Sequence, residues 1–280
     1  MKKLIIISVI LIQSVLLLAV FNDYQPSARA RGMGNAFTAV ADDANALFYN
    51  PAGLTATHYG VKIGFANLFN QEFSEFKTAS VGVQLPAKLG TIAVGARMLD
   101  VDFEEYSLMS EQIWSIGHGI TLVKDVHSEI SFGYTGNFYN LSMDGESDDS
   151  ALGLDLGVLA LLHGRTKFAF AVTNINKAKM GKDNQIDLPN KLSLGIAYSP
   201  YDRVTTSIEL KKDFAHETEF MGGVEARIFD PLALRFGVHQ NPATYNAGAS
   251  FYVENVEIDY SYSYQSVLDG THYFSLGYKF

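Results

Sequence analysis

Near the end of the chain, Phe274, Leu276, Tyr278 and Phe280 alternate with Tyr273, Ser275, Gly277 and Lys279. Side chains of a strand point alternately to its two faces, so this stretch reads as a β-strand with one apolar face. The same alternation sets Leu192, Leu194, Ile196 and Tyr198 against Lys191, Ser193, Gly195 and Ala197. It recurs with Leu232, Leu234, Phe236 and Val238 against Ala233, Arg235, Gly237 and His239. From Val256 onward, Ile258, Tyr260, Tyr262 and Tyr264 oppose Glu257, Asp259, Ser261 and Ser263. Roughly 14 such segments are counted. They begin near Val61, Thr78, Thr91, Ile113, Ile130, Leu152, Lys167, Leu192, Val204, Phe220, Leu232, Tyr245, Val256 and Tyr273.

The connections sort into two kinds. Pro86-Ala87-Lys88-Leu89, Lys124-Asp125-Val126-His127, His163-Gly164-Arg165, Ser199-Pro200-Tyr201-Asp202, Phe229-Asp230-Pro231 and Glu254-Asn255 are short and turn-like. The stretches 100–112, 142–150 and 176–190 are longer and more polar. Bacterial outer-membrane barrels have short periplasmic turns and longer external loops, and a first strand rising from the periplasm puts each set on its proper side. A soluble sandwich has no reason to sort its loops this way. The expected fold is all-β, a transmembrane antiparallel barrel over residues 58–280, located in the outer membrane and facing its lipid. Phe69, Trp114, Phe138, Tyr198, Phe229, Phe251 and Tyr264 lie at expected strand ends, where aromatic belts meet the membrane interface. Aromatic residues also favour strands generally, so position alone does not establish the belts.

Composition narrows the partners. The 280 residues are 48% hydrophobic and 18% charged, which excludes a disordered chain. A net charge of -9, with no basic run after Lys2 and Lys3, argues against nucleic acid. The absence of cysteine excludes disulfides, thiolate metal sites and a lipidated N-terminal cysteine. Mean hydropathy is +0.06, as expected where every second strand residue faces a polar lumen. Lys2 and Lys3 precede an apolar run from Leu4 to Phe21, broken only by Ser8, Gln13 and Ser14. Residues 1–22 are therefore expected to be a secretory signal, the alternative being a retained membrane anchor. Two cleavage sites compete. Ala28-Arg29-Ala30 obeys the small-x-small rule far from the run, and Ala19 lies closer but has Leu17 where a small residue belongs.

Between signal and barrel, in residues 23–57, the period changes. Phe37, Val40, Ala44, Leu47 and Phe48 recur at steps of three and four, which predicts one helix or two short ones. Asp42 is placed to cap the second, and Pro51 forbids its continuation. A barrel of about 14 strands lies between those filled by their own side chains and those enclosing a channel, so it needs a plug. Arg31, Gly32, Gly34, Asn35, Asp42, Asp43, Asn50, Pro51, Ala52 and Gly53 are the candidate plug residues. The plain alternative for Asn50, Pro51 and Gly53 is an ordinary helix stop.

Strand parity turns Lys62, Arg97, Asp155, Glu209, Lys211, Glu225, Arg227, Arg235, Glu257, Asp259 and Lys279 toward the lumen. With a turn centred on Asp230, Glu225 faces Arg235 across the hairpin, a modestly stabilising pair. These charges are expected to form a neutralised interior, able to anchor the plug or line a polar path. The seven histidines show no ligand spacing, and no nucleophile elbow, phosphate loop or dinucleotide fingerprint occurs. No catalytic residue, metal or cofactor is expected, and the chain does not read as an enzyme. The acidic pairs Glu104-Glu105 and Asp148-Asp149 read as solvated loops.

Gly-Met-Gly-Asn-Ala-Phe at 32–37, Ala-Asp-Asp-Ala-Asn-Ala at 41–46 and Asn-Pro-Ala-Gly-Leu at 50–54 resemble the N-terminal hatch of FadL-type outer-membrane transporters and of related PorV/PorQ-like barrels. The resemblance covers about 24 residues, and it implies a 14-stranded barrel whose hatch places its Asn-Pro-Ala motif in the lumen. It implies a transporter for small hydrophobic or amphipathic molecules or, alternatively, a scaffold or secretion accessory at the cell surface. FadL-type transporters are longer, with large external loops that capture ligand, and the shorter loops here lean slightly toward the scaffold. The last strand, with Tyr278 and Phe280, resembles the signal recognised by the barrel-assembly machinery.

Overall fold

The computed structural model describes residues 21, 27–57, 59–71, 73–103, 106–145, 147–181, 185–214 and 216–280. Its strands in chain order are β1 (Tyr59–Asn67), β2 (Ser74–Gln84), β3 (Thr91–Phe103), β4 (Tyr106–Lys124), β5 (Ser128–Met143), β6 (Asp149–Leu162), β7 (Thr166–Thr173), β8 (Lys179–Met180), β9 (Ile186–Asp187), β10 (Lys191–Tyr201), β11 (Val204–Asp213), β12 (Thr218–Phe229), β13 (Leu232–Gln240), β14 (Thr244–Val253), β15 (Val256–Gln265) and β16 (Thr271–Tyr278). All but β8 and β9 close into an antiparallel barrel of 14 strands, each beside its neighbour in sequence, with β1 sealing against β16. The lone pair β8 and β9 forms a small hairpin within the connection from β7 to β10.

The barrel is the one expected, and the alternation explains it. On β16 the outward Phe274, Leu276 and Tyr278 are exposed while the inward Thr271, Tyr273 and Ser275 are buried. Across the wall, inward positions such as Ser80, Ser115, Thr135, Asn137 and Ser193 are small and polar. Outward positions such as Ile63, Ile116, Leu194, Ile196, Phe236 and Leu276 are apolar and exposed. In water such a band would be a far larger apolar patch than a soluble monomer carries, whereas a bilayer requires it. The periplasmic turns are tight for identifiable reasons. His163 and Gly164 both take positive φ, as do Ala87 and Lys88, which is the twist that short hairpins favour. The Asp125 carboxylate accepts from the His127 and Ser128 backbone N–H groups at 2.6 and 3.0 Å, and those bonds hold it below its ordinary pKa.

Two expectations about the connections need correction. Residues 100–112 are not mainly a loop: β3 continues to Phe103 and β4 starts at Tyr106, the two residues pairing across the hairpin. Here Leu99, Val101 and Met109 pack inward while Asp100, Asp102 and Ser110 lie on the opposite face. The alternation persists with water replacing lipid outside, so a strand extension reads as polar loop. Likewise β5 reaches Met143 and β6 begins at Asp149, which shortens the expected 142–150 loop. Among the aromatics, Trp114 and Phe138 face each other across β4 and β5 and are exposed, as belt residues are. Phe69 is not a belt residue, because it packs against the buried cluster of Ala66, Leu68 and Phe76.

The segment before β1 lies inside the barrel, but not as the expected helices over 37–48. It comprises α1 (Ala28–Gly32), a series of turns, α2 (Ala46–Tyr49) and a 3-10 helix (Pro51–Ala56). Gly34 and Asn35 both take positive φ, which ends α1. Beyond them the N–H groups of Phe37 and Thr38 donate to the Glu209 carboxylate of the wall rather than to a helix. The apolar spacing of three and four arose in a segment buried on all sides, not on one helical face. Asp42 caps neither helix; Ser27 caps α1, and α2 begins after Asn45, whose side chain makes no capping bond. Pro51 does end α2, at the first position of the 3-10 helix.

Candidate functional site

The plug and the wall facing it form one hydrogen-bonded unit. Arg29 on α1 donates to both Glu225 oxygens at 2.8 and 2.9 Å and to Asp42 at 2.5 Å. Arg235 on β13 meets Glu225 at 2.5 Å, as the cross-strand register predicts, and also reaches Ser250 and Asp259. Lys62 on β1 completes the set, 2.9 Å from Glu257, 3.0 Å from Asp259 and 3.8 Å from Asp43. Charges this deep persist only when paired, and here both signs interlock from plug to wall.

Opposite this cluster the plug meets the wall through hydrogen bonds from neutral donors. Glu209 accepts from the Phe37 and Thr38 amides and from the Thr38 hydroxyl, all within 2.9 Å. The Asn50 side chain donates to the Thr38 and Val158 carbonyls at 3.0 and 3.3 Å and accepts from the Ala52 amide at 3.1 Å. Asn50 thus ties two plug turns to β6, which is more than an ordinary helix stop requires. Pro51 and Ala52 lie against Gly133, and a Cβ at Gly157 would strike the Asn50 amide oxygen. Gly53 approaches the Ala41 carbonyl, and Gly34 the Val238 backbone. Gly32 faces Arg235 and Gly248. The wall is therefore thinned to glycine where the plug touches it.

Above the plug a cavity of about 520 Å³ opens at the end of the barrel opposite the short turns. Arg31 and Asn35 belong to its floor, with Tyr273, Lys191, Lys211 and Glu219 among its walls. The Arg31 guanidinium stacks over the Tyr273 ring at 4.9 Å, and its Nε has no hydrogen-bond partner among the described residues. Elsewhere in this vestibule Lys191 meets Asp213 at 3.6 Å, and the His239 ring lies 3.0 Å from the Glu219 carboxylate. Met180 and Leu188, from the connection between β7 and β10, are buried against Tyr139 and Leu141.

Most expected residues come together, with three departures. Arg227 is not in the lumen network; it sits exposed beside the bulge before Phe229, over the Tyr252 ring and bonded to the Asp230 carbonyl. Lys279 lies exposed past the end of β16. Arg97 does point inward, over the Phe48 ring, but enters no ion pair among the described residues. Sequence reasoning missed Arg29, for which the spacing along the chain carries no signal, and the inward glycines, visible in the parity of the strands. The described residues hold no group of three or more acidic or histidine side chains arranged for a metal. The expected signal segment falls almost wholly outside the described residues.

No family model matches the sequence, and no curated protein matches it. Solved structures do share the architecture. The monoaromatic hydrocarbon channel CymD superposes with a TM-score of 0.65 at 13% identity, covering 93% of this chain and 99% of that one. The Pseudomonas putida toluene transporter TodX gives 0.61 at 10% identity, over 90% of this chain and 97% of the other. A Pseudomonas aeruginosa FadL homologue gives 0.53 at 11%, over 90% and 98%. At such identities the likeness is one of fold alone, that of the closed barrel.

Proposed function

We propose that this chain, whose fold is that of the FadL-type outer-membrane barrels, carries small amphipathic molecules through its barrel, with the plug as the hatch. The observation that carries this reading is Arg31. It is a cation on the floor of the vestibule, set against an aromatic face, and no carboxylate among the described residues pairs with it; its buried Nε has no hydrogen-bond partner there either. A solute with an anionic end and a short apolar body fits that floor, the anion meeting Arg31 and the body lying along Leu68, Phe69, Pro242 and Tyr273. Below it the contacts between plug and wall are ion pairs and hydrogen bonds, which can exchange partners.

The test uses octanoate and octanol as probes of equal length, measured for uptake into cells that express the chain. Octanoate uptake should exceed that of a strain lacking the protein, and Arg31→Ala should lower it by about tenfold, one lost charge-assisted contact, while sparing octanol. Absence of any uptake above background for both probes sinks the reading.

A second reading, a surface scaffold, is favoured by the tall β3–β4 hairpin, which exposes Phe103, Tyr106 and Leu108 at its tip. Replacing these three with Ser separates the readings: a scaffold loses its partner, and a transporter keeps its uptake.

A further inference from the structure

Glu111 projects from β4 into the outer part of the lumen and is 4% exposed. It lies on the strand between Met109 and Ile113, residues packed on the apolar cluster of Tyr139, Leu141, Met180 and Leu188. No ion pair reaches it among the described residues. Its hydrogen bond there comes from the backbone nitrogen of Phe21, 2.9 Å from Oε1. A carboxylate buried this way is costly unless a positive group stands beside it, and a neutral amide supplies one bond but no charge.

Phe21 is an odd residue to find there. It ends the apolar run that follows Lys2 and Lys3. Yet it is 4% exposed, with its ring edge-on to Tyr139 at 5.2 Å. Downstream, Ser27 to Gly32 is equally built in: Ser27 caps α1, Ala28 N donates to Ser275, and Arg29 holds Glu225 and Asp42. Cleavage after Ala30 would discard all of these, leaving Asp42 without its cation and Glu225 with Arg235 alone. Cleavage at or next to the bond before Phe21 discards none of them.

We propose that signal removal leaves Phe21, or the residue immediately before it, as the first residue of the mature chain, and that the ammonium group so created is the buried partner of Glu111. In the step, a signal peptidase hydrolyses the peptide C–N bond. Water gives its hydroxyl to the departing carboxyl and a proton to the nitrogen, which takes a second proton from solvent to become the ammonium. Processing thereby supplies the charge that the pocket lacks, and pins the outer end of the plug as its covalent junction with β1 pins the inner end.

The experiment uses the full chain expressed with its leader and purified from the outer membrane. Intact mass and N-terminal sequencing should give Val20 or Phe21 as the first residue; a start at Arg31, at any residue after Phe21, or a retained leader overturns the proposal. Acylation of the α-amine by an N-hydroxysuccinimide ester near neutral pH is then followed by peptide mass spectrometry. In the folded protein the α-amine should react more slowly than after heat unfolding by about tenfold or more, since it is reached only through local opening. Glu111→Gln should restore fast labelling while the barrel still shifts on a gel when heated. Equal rates in folded and unfolded wild type overturn the pairing without recourse to the variant, so a variant that fails to fold leaves the proposal decidable.

Discussion

Arg29 and Glu225, 196 residues apart, form a two-pronged ion pair in which Nε and Nη2 of the guanidinium each meet one carboxylate oxygen, at 2.8 and 2.9 Å. Plug and wall are joined at that point by a planar fork that lysine cannot reproduce. Arg29→Ala leaves Glu225 with Arg235 alone and Asp42 without its cation, and each hydrogen bond to a charged group lost this way is worth about 1.5–3 kcal/mol. The plug should loosen while the barrel stays closed. Single-channel conductance in planar bilayers should rise in Arg29→Ala, and in Arg29→Lys by a smaller amount. Conductance equal to wild type in both variants would show that the pair does not hold the plug.

Gly157 gives a test from the opposite wall. An alanine Cβ there meets the Asn50 amide oxygen and sits 2.9 Å from the Pro51 ring, an overpacking that typically costs about 1–3 kcal/mol. Gly136, on the neighbouring strand, has open space at its Cβ position. Gly157→Ala should therefore make the plug sensitive to added protease, and Gly136→Ala should not. Equal protection in the two variants would mean that Asn50 and Pro51 move aside freely.

Deleting 34–52 tests the plug as a whole. Without it, about 14 strands enclose a lumen approaching porin width. Conductance should then rise well above that of any point variant, with the heat-dependent gel shift retained. A folded barrel with unaltered conductance would contradict the placement of this segment as the barrier.

Removal of Phe280 addresses assembly rather than passage. It lies beyond the last strand, exposed, its ring stacked near Tyr278 at 6.3 Å. If this pair is read by the assembly machinery, the folded amount in the outer membrane should fall several-fold at native expression. Purified, refolded protein should keep its thermal stability, since the Phe280 side chain is exposed. A fall in both would point to a packing role instead.

The wall was legible because its physics is local. Alternation, turn chemistry and the sorting of connections placed the strands beginning at Thr91, Val204, Leu232 and Val256 on their observed first residues. The Glu225 and Arg235 register followed from the turn alone. What failed did so where the surroundings change. The upper parts of β3 and β4 read as loop because water, not lipid, bathes their outer face. The plug read as helix because periodicity assumes one buried face, and this segment has none exposed. Arg29 escaped notice because its partners lie on distant strands, a relation no spacing along the chain reports.

The seam between β1 and β16 gives the fold a particular order of events. β1 has β2 on one side and the last strand of the chain on the other, and the plug is attached at its root. Sealing that seam ties together residues more than 200 positions apart, such as Ile63 and Leu276, so it carries the largest loop-closure entropy of any pairing in the wall. The plug fits against Gly95, Gly133, Gly157, Gly223 and Gly237 of the wall with no room for a Cβ between, so a wall already closed would grip a folded plug too tightly for it to slide in. The wall is wrapped about its contents like a stave-built cask around a bung already in place, and the last stave is the one that follows the bung.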